Sequence, residues 1–151
     1  MIRLIFIFIS LMALTAATDV SPCPNQPFPV EVRVDGCDKQ PCTVVKGKDI
    51  IFEIDFTAGF TVKNIYTNVR ATVFGLSVGY PLPDEQKYAC KMLLYGSYCP
   101  IYEGEDVTYK FVFAVGTFYP EIGVNIEISL IDDDSKIVTC FNTDIKVVKG
   151  S

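Results

Sequence analysis

Six cysteines are the residues of this chain best equipped for chemistry: Cys23, Cys37, Cys42, Cys90, Cys99 and Cys140. Thiolates could bind zinc or act as nucleophiles, but the chain has no histidine and no pair of Cys-x-x-Cys spacings, so no metal site is expected. The same absence rules out Ser-His-Asp and Cys-His arrangements. The densest carboxylate group, Asp132-Asp133-Asp134, could in principle run acid-base chemistry or hold calcium. Its spacing is not that of an EF-hand loop, and a solvated turn between two strands explains it better. Gly47-Lys48 lacks the rest of a phosphate loop. No catalytic residue and no cofactor is expected.

The cysteines have a better use. Ahead of them stands a leader: Met1-Ile2-Arg3 is a short basic start, Leu4 to Leu14 an apolar run, and Thr15-Ala16-Ala17 a small-residue cleavage site. The run is too short to span a bilayer comfortably, so residues 1–17 read as a secretory signal peptide and 18–151 as a single domain. An even cysteine count behind such a leader implies three disulfides in an oxidising compartment. Six cysteines permit many pairings. Chain geometry favours two local loops, Cys37 with Cys42 and Cys90 with Cys99, which leaves Cys23 for Cys140. That last link closes a loop worth about 4 to 5 kcal/mol in the chain-entropy model.

The elements that must position these residues are strands. Half of the 151 residues are hydrophobic, enough for one domain with a proper core. "VEVRVD" puts Val30, Val32 and Val34 on one side; "DIIFEIDF" does the same with Ile50, Phe52, Ile54 and Phe56. The alternation recurs at Val69, Ala71, Val73; at Phe111, Phe113, Val115; at Val124, Ile126, Ile128, Leu130; and at Phe141, Ile145, Val147. Turn clusters separate the runs, and no segment carries a convincing helical stripe. About seven short strands with such punctuation suggest an all-β sandwich of two antiparallel sheets. Gly75 to Tyr102 is the least regular stretch, and Tyr80-Pro81-Leu82-Pro83 within it must be edge or loop. It holds more apolar and aromatic surface than a solvent loop needs, so something must cover it or it must cover something, such as one end of a slot between the sheets.

Charge narrows the partners. Thirteen basic residues face 18 acidic ones, and removal of the leader takes Arg3 from the minority. With no basic cluster, nucleic acid is not an expected partner. No Asn-x-Ser/Thr acceptor for N-glycans occurs.

The order of these motifs carries a resemblance. "DGCDKQPCTVVKGKDIIFEIDF", "GLSVGYPLP" ahead of Cys90, Cys99-Pro100, and "YKFVFAVGTFYPEIGVNIEISLIDDDSKIVTCF" together resemble the MD-2-related lipid-recognition domain, in particular the Niemann-Pick type C2 protein family and its arthropod-type members. The likeness covers Cys23 to Val148. It implies an immunoglobulin-like β-sandwich with disulfides Cys23–Cys140, Cys37–Cys42 and Cys90–Cys99, and one hydrophobic ligand held between the sheets. The implied entrance is Tyr119-Pro120 with the proline-rich loop at Tyr80 and Leu82. Expected wall residues are Phe56, Val73, Leu76, Phe111, Phe113, Val115, Phe118, Val124 and Ile126. Without glycan routing to lysosomes, and with Tyr80 where sterol binders tend to be aliphatic, the expectation is a secreted, extracellular, monomeric carrier of a fatty acid or related lipophile, semiochemicals included. Its mouth would make transient contact with a membrane or receptor. The alternatives are sterol transfer in endosomes and lysosomes, and an immunoglobulin-like innate-recognition module with no carried ligand. Phe52, Phe74 and the rings above are many for a small sandwich. Lys91 and Lys110 could meet a fatty-acid carboxylate, though solvated surface positions describe them better.

Overall fold

The alternating runs become strands of two facing sheets. The computed structural model describes residues 16–150; the leader lies outside the described residues except for Ala16 and Ala17. Strands β1 (Ser21–Pro22), β2 (Glu31–Val34), β3 (Cys42–Val45), β4 (Asp49–Thr57), β5 (Tyr66–Val73) and β6 (Leu76–Tyr80) precede one helical turn, α1 (Asp84–Lys87), and a 3-10 turn over Ala89–Met92. Strands β7 (Asp106–Ala114), β8 (Gly123–Ile131) and β9 (Ile137–Val148) complete the chain. One sheet runs β1-β9-β8-β5-β6 with β3 also on β9, and the other is the three-stranded β2-β4-β7.

Two features depart from the sequence expectation. Strand β3, not anticipated, pairs with β9 in parallel, Cys42 opposite Ile145 and Val45 opposite Val148, so one ladder is not antiparallel. Val30 falls outside β2 and is 71% exposed, because the strand begins one residue later. The rest of the alternation reads directly into burial: Ile50, Phe52, Ile54 and Phe56 of β4 are all buried. They meet Val69, Ile128, Leu130 and Phe141 from the facing sheet, with Phe52 packed between Phe111 and Phe141 at ring separations of 5.9 and 6.4 Å. On the outer face of the small sheet, Arg33 donates to Asp55 at 2.7 and 3.0 Å and to Glu31 at 2.7 Å.

All three disulfides form: Cys23–Cys140, Cys37–Cys42 and Cys90–Cys99. The aspartate cluster is the β8–β9 turn. Asp132 Oδ1 accepts from the backbone N–H groups of Asp134 and Lys136 at 2.9 and 2.8 Å, and Asp133 accepts from the Asn64 side chain at 3.1 Å. These carboxylates are consumed in holding a hairpin.

Segment 82–102 closes one end of the sandwich. Ile101 and Val62 exchange backbone hydrogen bonds at 2.8 and 2.9 Å, Ala89 N–H donates to the Ile65 carbonyl at 2.9 Å, and Leu94 N–H to that of Thr108 at 2.8 Å. Ala89 and Ile101 are wholly buried. Beneath this plug, Tyr109 hydrogen-bonds Thr67 through their hydroxyls at 2.6 Å. Burial pushes its phenol up to about 12, since the charged form would sit in a dry interior.

Candidate functional site

The other end of the same sheets is not filled. Burial falls along each strand: Val69 is buried while Ala71 and Val73 are only partly so, Phe111 is buried and Phe113 is not, and Ile128 and Leu130 are buried while Val124 and Ile126 are not. Each of these side chains faces the opposite sheet, so their residual exposure marks space between the sheets.

That space has two chambers. The inner one, about 30 Å³, is lined by Ile50, Phe52, Val69, Ala71, Tyr80, Phe111, Phe113, Ile126, Ile128 and Ile145. The outer one, about 160 Å³, is lined by Ala71, Val73, Tyr80, Phe113, Val115, Tyr119, Pro120, Ile122, Val124, Ile126, Ile145 and Val147. Five residues border both, which makes them parts of one slot. Aliphatic side chains and ring carbons form the wall, which presents no polar surface; among the lining residues only Tyr80 and Tyr119 carry a polar side-chain atom, the phenol hydroxyl. Those hydroxyls hydrogen-bond each other. The Tyr80 ring stands edge-on to Phe113 at 5.0 Å and to Tyr119 at 6.3 Å. Burial, then the Tyr80 hydroxyl, pushes the Tyr119 phenol well above its ordinary value.

Local sequence sets this arrangement. Tyr80 ends β6 and precedes Pro81, and Tyr119 precedes Pro120. A residue before proline is held near extended backbone, which limits where each ring can swing. The corner is tied by Tyr119 N–H to the Gly116 carbonyl at 3.4 Å and Ile122 N–H to that of Pro120 at 3.1 Å.

Of the residues singled out from the sequence, Val73, Tyr80, Phe111, Phe113, Val115, Tyr119, Pro120, Val124 and Ile126 come together around the slot. Four do not. Phe56 is buried at the plugged end, opposite Val107, because strand alternation specifies a face but not a height. Leu82 packs against the core from the side. Leu76 is 74% and Phe118 82% exposed; both lie outside the cavity, Leu76 because the small sheet ends at β7 and leaves β6 uncovered. Phe74, also counted among the wall rings, is 93% exposed at the β5–β6 turn. Ile50, Phe52, Val69, Ala71, Ile122, Ile128, Ile145 and Val147 line the slot without having been named as site residues. Most lay on inward faces already legible from alternation.

Neither lysine considered for a carboxylate reaches the slot. Lys110 sits opposite Glu53 on the outer face, and Lys91 Nζ lies 5.9 Å from the Tyr88 ring centroid. Cys23, Glu127 and Cys140 cluster closely, but both sulfurs are in a disulfide and no thiolate is left for a metal.

A two-sheet sandwich enclosing an apolar slot defines the class, and comparison with known proteins agrees. The ML-domain family model matches residues 17–147. The NPC intracellular cholesterol transporter 2 of Danio rerio is 30% identical over 119 residues, 79% of this chain and 76% of that protein; that of Mus musculus is 29% identical over 145 residues, covering 92% and 94%. The crystal structure of a Niemann-Pick type C2 protein from the Japanese carpenter ant superposes with a TM-score of 0.76 at 20% identity, over 86% of this chain and 99% of that one, a likeness of fold. The chain belongs to the ML-domain family and, within it, to the Niemann-Pick type C2 proteins.

Proposed function

We propose that this protein is a secreted, non-catalytic carrier of a hydrophobic small molecule, a fatty acid or related long-chain lipophile, held in the slot between the sheets. The observation that carries the reading is the slot's wall, which is apolar throughout. Three disulfides support passage through an oxidising compartment, as secretion requires.

Burial supplies the driving force. Each methylene taken from water contributes about 0.8 kcal/mol, against an association cost on the order of 4 to 15 kcal/mol. A ligand of a few carbons is therefore held weakly, and a chain of about ten or more is favoured. The present space is below the roughly 300–1,000 Å³ of ordinary ligand pockets, so a long chain enters by parting the side chains at Tyr80 and Tyr119. Phe74, Leu76 and Phe118, exposed beside the Val73 and Tyr119 ends of the slot, offer an apolar rim for the membrane or receptor that receives the cargo.

Sterol is the second reading. It is favoured by relatives that are named cholesterol transporters. Native mass spectrometry of the protein purified from its source, followed by extraction of whatever it releases, separates the two. A stoichiometric long-chain lipophile is expected. Sterol in its place would move the assignment to sterol transfer, and a protein that arrives empty and takes up neither when offered would sink the carrier reading.

A further inference from the structure

We infer that the Tyr80 and Tyr119 hydroxyls form a head-group site that makes the carrier select chains ending in an alcohol or a carboxylic acid over bare hydrocarbons of the same length. The inference rests on the carrier reading and adds to it the chemistry of the ligand's polar end.

These two phenols carry the only polar side-chain atoms among the residues lining the outer chamber, and, bonded to each other, they turn no polar surface into it; the head-group site forms when an entering chain parts them. A phenol has one proton to donate. In the pair one hydroxyl donates and the other accepts, which leaves a single free O–H together with acceptor lone pairs. A terminal hydroxyl or carboxyl complements that set: it can accept the free proton, and an alcohol or protonated acid can donate in return. Passage of a chain between the rings must break the tyrosine–tyrosine bond. A polar head replaces it, whereas a hydrocarbon leaves two hydroxyls beside Phe113, Val124 and methylene groups with only partial access to water. Both rings are partly exposed, so discrimination of about tenfold is expected rather than the larger factor of a sealed site.

The wall contains no lysine or arginine. Selection therefore works by hydrogen bonding and not by an ion pair, and an uncharged alcohol should compete on nearly equal terms with the acid. The raised Tyr119 phenol keeps its proton at physiological pH and remains a donor. The two prolines that follow the tyrosines restrict the backbone from which each ring projects.

The test is a native mass-spectrometric competition among hexadecanol, hexadecanoic acid and hexadecane at equal concentration, on the wild-type protein, Tyr80→Phe, Tyr119→Phe and the double variant. Each substitution keeps its ring, and a cooperative thermal unfolding transition in each variant checks the fold. The wild type is expected to prefer alcohol and acid about tenfold, and the double variant to lose that preference while still loading hexadecane. Wild-type binding with no preference, or a preference that persists in the double variant, overturns the head-group site and leaves the carrier reading standing. Failure of the wild type to load any of the three overturns both.

Discussion

The sandwich contains two tyrosine hydroxyl pairs, one near each end, and they do different things. Tyr109 is 1% exposed, bonded to Thr67 at 2.6 Å and roofed by segment 82–102. Tyr80 and Tyr119 are partly exposed, bonded to each other, and bordered by unfilled space. The strands beneath are the same. Strand β7 runs from Val107 and Tyr109 at the closed end to Phe113 near the slot, and β8 from Val124 beside the slot to Leu130 at the closed end. The comparison teaches that alternation alone makes an inward face, while a separate covering segment turns part of that face into solid core.

Truncation should break the comparison most strongly. Phe56→Ala at the closed end removes a ring from packed surroundings and is expected to cost about 3 to 5 kcal/mol in denaturant unfolding. Phe113→Ala removes one that already borders space and should cost less than about 2 kcal/mol. Equal losses would mean that the slot is packed as tightly as the core.

Filling the slot is the converse test. Ala71 borders both chambers, and Ala71→Leu should reduce lipophile uptake at least tenfold, about 1.4 kcal/mol. Stability should move by less than about 1 kcal/mol, where the same change in a packed core would strain it by about 1 to 3 kcal/mol.

The tyrosines give a smaller contrast. Tyr109→Phe strands the buried Thr67 hydroxyl and should cost about 1 to 2 kcal/mol, whereas Tyr119→Phe leaves Tyr80 able to reach water and should cost about 0.5 kcal/mol or less. A reversal of that order by thermal unfolding would mean that the slot is the drier end.

A similarly small effect belongs to the outer face. Arg33 holds the Asp55 carboxyl below its ordinary 3.8, with Thr108 assisting. Because the folded value is depressed, its stabilisation is complete above about pH 4 and is lost as the pH falls further. The pair is half-buried on a solvent-facing sheet surface, where screening by water keeps the amount at stake to about 1 kcal/mol. Asp55→Asn should flatten the acid limb of a stability profile by that amount; an unchanged limb would show that other carboxylates carry it.

Much of this was legible beforehand, and the misses share a cause. Disulfide partners followed from loop lengths and family resemblance, and inward faces from period two. Phe56 was placed in the cavity wall because it shares a side of β4 with Ile50 and Phe52, which do line it. Period two assigns a side of the strand and carries no information about position along the sandwich axis. Leu76 and Phe118 failed for a related reason. Leu76 sits opposite Val73 in the β5–β6 ladder, but its face becomes interior only if the other sheet is wide enough to cover it, and the three-stranded sheet is not. The parallel β3–β9 ladder had no local signal at all, since "CTVV" meets its partner about a hundred residues later in the chain.

By itself the sequence determined an oxidised, three-disulfide, all-β domain with apolar inner faces, two Tyr-Pro corners and no catalytic histidine. Those are local properties: residue types, spacing and alternation. Tertiary structure alone decided which end segment 82–102 seals, how far the slot reaches at the other, and that the Tyr80 and Tyr119 hydroxyls bond each other there. Each of these outcomes depends on contacts between residues far apart in the chain, and no local period encodes them.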